Sequence, residues 1–392
     1  MSTEAVVNNK NNNKNNNKNP DGGSASAAQR FYRPELDCLR FFAFLAVFLY
    51  HTFAHEADYY SARHIPFGAF LASAARAGSF GVDLFFLLSA YLITELLFRE
   101  KEEFGTVHLK SFYVRRMLRI WPLYFLAVLI GAVLPLVDPN QKFPLRYIVA
   151  FLLLSGNWMT SLVGFPQSVM NPLWSVSFEE QFYLIWPTLI ARARRASTVL
   201  LASGLLLVVA EIGRLVLLKY ARQRHSDVEI FTNTIARLDP LALGIATAVI
   251  LRKKQVELRW FLRWSCAILG ASVWLLAGHY FHLTVAFMLI GYPAMALGSW
   301  LIFMSGFGLG VAPGWLRYLG KISYGLYVFH MLALYLVSKL IGGYAGNLGK
   351  FMIYWCLGLA LTLVMAALSY RFFESPFLRL KERFAFVRSR PV

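Results

Sequence analysis

Two adjacent carboxylates, Glu179 and Glu180, stand inside an otherwise apolar run of the chain, Leu173 to Ile190. In such a setting each must be paired, protonated or hydrated, so the pair points to proton handling or to an ion pair from Glu179 to an arginine of another segment. A second apolar run, Leu36 to Ala54, carries Asp37, Arg40 and His51. On a helix Arg40 and His51 share one face about 16 Å apart along the axis. An imidazole suits general-base or nucleophilic work near neutral pH. The plainer reading is an i, i+3 pair of Asp37 with Arg40 and a hydrogen bond from His51 to a neighbouring helix. Arg116 and Arg119, one turn apart, head a third run. They suit a fork for phosphate oxygens, and equally a cationic anchor at a membrane surface. In Arg237-Leu-Asp239-Pro240 the Asp-Pro step reads as a helix cap, with Arg237 free to bind an anion or Glu179. Asp83, Ser89 and Glu95, and Ser323, Tyr327 and His330, sit in two further runs where core hydrogen bonding is the default.

The elements that must hold these groups are apolar. Of 392 residues, 57% are hydrophobic and only 15% charged, with a mean hydropathy of +0.50. Soluble domains carry about a quarter charged residues, so a water-soluble globule is excluded. Ten runs of roughly bilayer-spanning length recur: Leu36 to Ala54, Phe80 to Phe98, Ile120 to Val137, Leu173 to Ile190, Thr198 to Leu218, Ile235 to Leu251, Phe261 to Ala277, Leu283 to Met304, Ile322 to Ile341 and Phe351 to Tyr370. The sequence thus predicts an all-α, polytopic membrane bundle. An eleventh run, Tyr147 to Thr160, is short enough to be re-entrant or interfacial. If it does not cross, the basic clusters at 99–119, 192–195, 252–263, 317–321 and 379–390 all fall on the side of both termini, as cytoplasmic loops do, while Lys142 and Arg222 face outward. The net charge of +18 is therefore read as topology, with no nucleic-acid partner expected. Residues 1–29, rich in Asn and Lys, are read as a disordered tail. Cys38, Cys266 and Cys356 are far apart and imply neither disulfide framework nor metal site. Phosphate-loop and dinucleotide fingerprints and a GxSxG elbow are missing.

Taken together and in order, these segments carry a further signal. Asp37 to Arg40 with His51, Phe80-Gly-Val-Asp-Leu-Phe-Phe-Leu-Leu-Ser89, Arg116-x-x-Arg119, Leu173-Trp-Ser-Val-Ser-Phe-Glu-Glu-Gln-Phe-Tyr183, Arg237-x-Asp239 with Gly244, Ser323-Tyr-x-x-Tyr-x-x-His330 and Glu374-Ser-Pro376 resemble the membrane-bound acyltransferase 3 family. The resemblance covers nearly residues 31–380, and places a transmembrane acyltransferase domain at 30–378 between the tail and a basic segment, 379–392. One departure is Ala90 after Ser89, where the family often has Gly; it could tighten a helix contact. The resemblance implies transfer of an acyl group, commonly acetyl from acetyl-CoA, to a hydroxyl of an extracytoplasmic saccharide, lipid-linked saccharide or small metabolite, without a metal. It carries catalysis onto His51 and Glu179, donor binding onto Arg40, Arg116 and Arg119, and supporting roles onto Glu180, Tyr183, Ser89, Arg237, Asp239 and His330. In that scheme Glu179 orients His51. The rival from another class is a transporter whose intramembrane His, Arg and Glu form a proton or sugar pathway.

Overall fold

The computed structural model describes residues 31–220, 226–252, 257–280, 286–342 and 348–386. The tail at 1–29, the loop cations Arg222, Arg224 and Lys253 and the terminal Arg388 and Arg390 lie outside the described residues. Among the described residues every regular element is helical. The long helices are α1 (Pro34–Thr52), α2 (Gly81–Phe104), α3 (Leu109–Val133), α4 (Leu173–Arg192), α5 (Ala196–Tyr220), α6 (Asp239–Leu251), α7 (Trp260–His279), α8 (Tyr292–Gly306), α9 (Ser323–Ile341) and α10 (Leu348–Leu368). Seven helical stretches are long and apolar enough to cross a bilayer. The remaining three long helices, α1, α4 and α6, fall short because α1 and α4 carry the polar groups singled out above and α6 has 13 residues. Helices are the natural solution in lipid, since each satisfies its own backbone polar groups.

Contacts sort the helix ends into two sets. At one end, Arg252 pairs with Glu102 at 2.5 Å, Arg115 donates to Phe384 O at 2.7 Å, and Arg263 donates to Phe307 O at 2.8 Å. At that same end Lys101 Nζ caps the C-terminus of α4 by donating to the carbonyls of Ile190, Ala191 and Ala193 at 2.9, 2.9 and 2.7 Å. Phe31 and Lys381, near the two limits of the described chain, line one cleft there. The opposite end gathers the C-terminus of α1, the start of α4 and the start of α10 around a large cavity. The described residues of the basic clusters at 99–119, 192–195, 252–263 and 379–390 thus collect at one end of the bundle.

The short eleventh run forms two helices, Leu145–Leu152 and Gly156–Val163, broken where Leu154 takes φ 56°. Each is about 12 Å long, less than half a hydrocarbon core. They dip into the bundle: Gln181 on α4 donates to Leu154 O at 3.1 Å and accepts from Trp158 Nε1 at 3.0 Å. Because α3 ends and α4 begins at the cavity end, this segment returns to the side it leaves. Close helix approach depends on glycine where α6 meets α2: a Cβ on Gly244 would stand 2.4 Å from Leu87 O and 3.0 Å from Ala90 Cβ. Ala90, the departure noted above, is fully buried in that contact.

Candidate functional site

At the basic end, Arg40, Arg115, Arg116, Arg119 and Lys381 line a narrow cleft of about 80 Å³. The turn of α3 that presents Arg116 and Arg119 follows a loop pinned by Glu100, whose carboxylate accepts from His108 N at 2.8 Å and from Arg115 Nη2 at 3.0 Å. Arg40 keeps Asp37 at 3.5 Å, and Asp37 also accepts from Tyr32 at 2.8 Å. The i, i+3 pair of the plainer reading therefore forms, and still leaves Arg40 on the cleft. Arg116 lies over the Tyr183 ring at 5.0 Å. Among the described residues neither Arg116 nor Arg119 has a carboxylate within salt-bridge distance. Guanidinium groups that share a cleft and close no direct salt bridge, as Arg116 and Arg119 do, suit an anion with several oxygens.

Glu179 belongs to this end. Tyr183 donates to Ser89 at 3.1 Å, which leaves the Ser89 hydroxyl to face Glu179, and Arg116 and Arg40 lie within electrostatic reach of the carboxylate. No hydrogen bond joins Glu179 to His51 among the described residues. The expected carboxylate–histidine partnership is replaced by a Glu179–Ser89–Tyr183 group facing the arginines. Glu180 turns to the opposite side, accepting from Trp121 Nε1 at 2.8 Å, while its Oε1 is buried without a partner.

His51 sits about three helical turns beyond Arg40, at the far end of α1. It lines a cavity of about 870 Å³ with Tyr50, His55, Tyr59, Asn171, Trp174, Phe231 and Tyr327, among others. Its Nδ1 is 2.9 Å from Val47 O and 3.3 Å from Nε2 of His330, so the hydrogen bond to a neighbouring helix that the plainer reading expects forms, and its partner is a residue expected to hydrogen-bond in the core. His55, in the loop after α1, donates from Nε2 to Tyr50 O at 2.8 Å and stacks on the Tyr50 ring. Burial, reinforced by Arg76, pushes the His55 imidazole below its ordinary range and keeps it neutral. Asn171 presents a buried Oδ1 with no partner beside the same cavity.

Two expected supporting residues have structural partners instead. Arg237 Nη2 meets Asp83 Oδ1 at 2.6 Å, both almost fully buried; it reaches neither an anion cleft nor Glu179. Asp239 is not a helix cap: Leu238 holds that position, and Asp239 binds Arg214 at 2.6 and 3.0 Å. Arg214, fully buried on α5, also donates to Ala236 O at 2.8 Å and pairs with Glu211. Sequence reasoning missed Arg214 and Glu211, although a charge inside an apolar run was the signal already applied elsewhere. Lys381 and the aromatic cavity wall were missed as well; single aromatic residues in apolar runs give no local cue.

A family profile for an acyltransferase domain matches residues 33–371. The chain belongs to the acyltransferase 3 family. Among curated relatives it is similar to the O-acetyltransferase OatA of Staphylococcus aureus, 28% identical over 376 residues, covering 88% of this chain and 57% of that protein. It is also similar to the peptidoglycan O-acetyltransferase OatA of Listeria monocytogenes, 26% identical over 384 residues, 88% of this chain and 56% of that protein. The chain spans a little over half the length of the curated relatives it matches. No solved structure matches it significantly. Among the described residues no cluster of three His, Cys, Asp or Glu is placed to hold a metal ion.

Proposed function

We propose that the protein is an integral membrane O-acyltransferase that moves an acyl group, acetyl by analogy with its relatives, from acyl-CoA to a hydroxyl of an envelope saccharide or lipid-linked saccharide. The observation that carries the proposal is the two-ended site along α1: a cleft of clustered arginines at one end, two of them without a direct salt bridge, and a histidine-lined cavity at the other, with Arg40 and His51 about 16 Å apart at 1.5 Å per residue. The basic end faces the cytoplasm of a cell membrane, with both chain ends there. Arg40, Arg116 and Arg119 bind the phosphates of CoA, and the pantetheine arm covers the remaining depth. The acceptor occupies the larger cavity, whose aromatic wall suits the apolar faces of a sugar ring while Asn171 and His55 offer acceptors for its hydroxyls.

In the reaction His51 takes the proton of the acceptor hydroxyl as its oxygen bonds to the acyl carbon. The carbon–sulfur bond then breaks, and the departing CoA thiolate recovers the proton. Alternatively the same imidazole nitrogen carries the acyl group between donor and acceptor; an acyl-imidazole trapped with donor alone separates the two routes. Glu179, with Ser89 and Tyr183, orders the donor end next to the arginines. The test is whether purified protein in detergent transfers label from acetyl-CoA to a soluble N-acetylglucosamine tetramer. Failure to consume acetyl-CoA, combined with His51-dependent solute flux across vesicles, would replace this reading with a transporter.

A further inference from the structure

The partner that sets the orientation of His51 is a second neutral histidine, and two distances identify its protonation. His330 Nδ1 lies 2.6 Å from the backbone carbonyl of Tyr327. A carbonyl only accepts, so Nδ1 carries the hydrogen, and a neutral imidazole then has a bare Nε2. His51 Nδ1 lies 2.9 Å from Val47 O, again a carbonyl, so it too carries its hydrogen on Nδ1. The bare Nε2 of His330 stands 3.3 Å from that same N–H. With both rings neutral this assignment satisfies all three contacts. A protonated His330 would turn an N–H against an N–H.

We propose that His330 is the positioning residue for His51: through its Nε2 it receives the His51 Nδ1–H and holds the ring with Nε2 bare and available to the acceptor hydroxyl. The inference rests on the reading of His51 as the group that meets the acceptor. Val47 O, which also accepts the backbone N–H four residues on, shares the hydrogen through its second lone pair from within α1, and His330 adds the acceptor that ties the ring to a neighbouring helix. His330 Nε2 has no other hydrogen bond among the described residues. Its ring is fully buried and is flanked edge-on by Phe44 at 6.2 Å, so the lone pair is delivered in a fixed direction. When His51 gains the acceptor's proton, the imidazolium keeps its Nδ1–H on two uncharged acceptors. The role that a carboxylate fills in a serine-hydrolase triad is thereby assigned to an imidazole.

The test uses the full chain in detergent micelles with acetyl-CoA and the N-acetylglucosamine tetramer, and compares His330→Leu, His330→Gln and His51→Ala. His330→Leu should lower kcat by tenfold or more with both KM values within about twofold. His330→Gln, whose amide oxygen can accept the same hydrogen, should recover most of the rate. A readout that needs no substrate is the 15N spectrum of histidine-labelled protein, with His51 assigned by difference from His51→Ala: Nδ1 should be protonated and Nε2 bare in the wild type, with the preference eroded in the folded His330 variant lacking an acceptor. Full kcat in folded His330→Leu, or a wild-type His51 protonated on Nε2, overturns the proposal. If His330→Leu does not fold, His330→Gln with normal folding and a lost Nδ1 preference overturns it equally. An inactive His51→Ala beside a fully active His330→Leu defeats the positioning role alone, whereas an active His51→Ala defeats the reading beneath it.

Discussion

Replacing Asp83 by Asn tests whether Arg237 is a ligand for substrate or a tie between helices. The two side chains meet at 2.6 Å with relative exposures of 1% for Arg237 and 3% for Asp83, so neither charge has solvent to fall back on. Two unit charges whose centres are about 4 Å apart interact by about 4 kcal/mol at an effective dielectric of 20. Mutational experience agrees: removing one partner of a buried pair costs about 3–5 kcal/mol, because the survivor is left uncompensated. Asp239 lies within electrostatic reach of the same group, which favours the lower part of that range. A loss of about 3 kcal/mol changes the folded-to-unfolded ratio more than a hundredfold. Thermal unfolding in detergent, followed by size-exclusion fluorescence, should therefore show a clear loss for Asp83→Asn and for Arg237→Met. The double variant Asp83→Leu/Arg237→Met should recover most of it, since an apolar pair carries no desolvation penalty. It should also bind CoA normally. A single variant that melts with the wild type, losses that simply add, or CoA affinity that falls in the double variant would refute the tie.

Arg116→Ala and Arg119→Ala should weaken CoA binding by roughly tenfold or more each, with lysine rescuing only partly, because a fork of paired donors is lost; calorimetric titration of CoA checks this, and unchanged affinity in both returns them to topology anchors. His51→Ala should lower transfer by about 100- to 10,000-fold with CoA affinity intact, and Glu179→Gln should reduce transfer heavily while acceptor KM stays near wild type; assays of labelled acetyl-CoA decide both. A cysteine at position 194 should resist membrane-impermeant labelling from outside while one at 142 reacts, and the reverse pattern sinks the two-ended topology. The Asp138 carboxylate, hydrogen-bonded by Lys339 at 2.8 Å and by Tyr335 at 2.7 Å, is held well below the usual carboxylate range. Its stabilisation is complete above the unfolded value of about 3.9 and disappears as pH falls below it. Melting temperatures of wild type and Asp138→Asn should therefore differ by a constant amount from pH 7 down to about pH 5, and the difference should narrow progressively below about pH 4 without vanishing at pH 3.

How far this architecture was legible follows from what each signal measures. Long apolar runs are set by bilayer thickness, so seven of the ten runs reappear as helical stretches long and apolar enough to span, and the short run at 147–160, of ambiguous length, folds as two half-length helices. Helix extensions beyond the apolar core were not visible: the stretch at Gly68–Phe104 starts well before Phe80 because small residues such as Ala72, Ala75 and Ala77 pack there against other helices rather than against lipid. The arginine cleft was legible since one-turn spacing survives into the fold. The partnership of His51 was not, because His330 lies 279 positions away and a single chain carries no record of which helix faces cross. Asp239 was misread for a related reason. Local cap chemistry described its position, but a buried Arg214 on another helix offered a charged partner at 2.6 Å, and in a low-dielectric interior that contact outweighs one cap hydrogen bond.

The same accounting of partners divides the intramembrane charges by role. Asp83 with Arg237, Asp239 with Arg214 and Glu95 with Arg99 each have an opposite charge at 2.6 Å. Their free energy is already committed within the protein, so an incoming anion would have to break a pair before gaining one. Arg116 and Arg119 lack such a partner and share a cleft, so a polyanion there adds charge-assisted bonds without displacing any. Glu179 modulates that preference: a carboxylate within electrostatic reach of the arginines lowers the cost of crowding them together when the cleft is empty, while closing no direct salt bridge that would block entry. On this argument a charge-neutral Glu179→Gln should slow transfer mainly by misplacing the bound donor, whereas Glu179→Lys should weaken CoA binding less than Arg116→Ala does. Stronger CoA loss in Glu179→Lys than in Arg116→Ala would mean that Glu179 anchors the arginines themselves and that the cleft is a structural ion network.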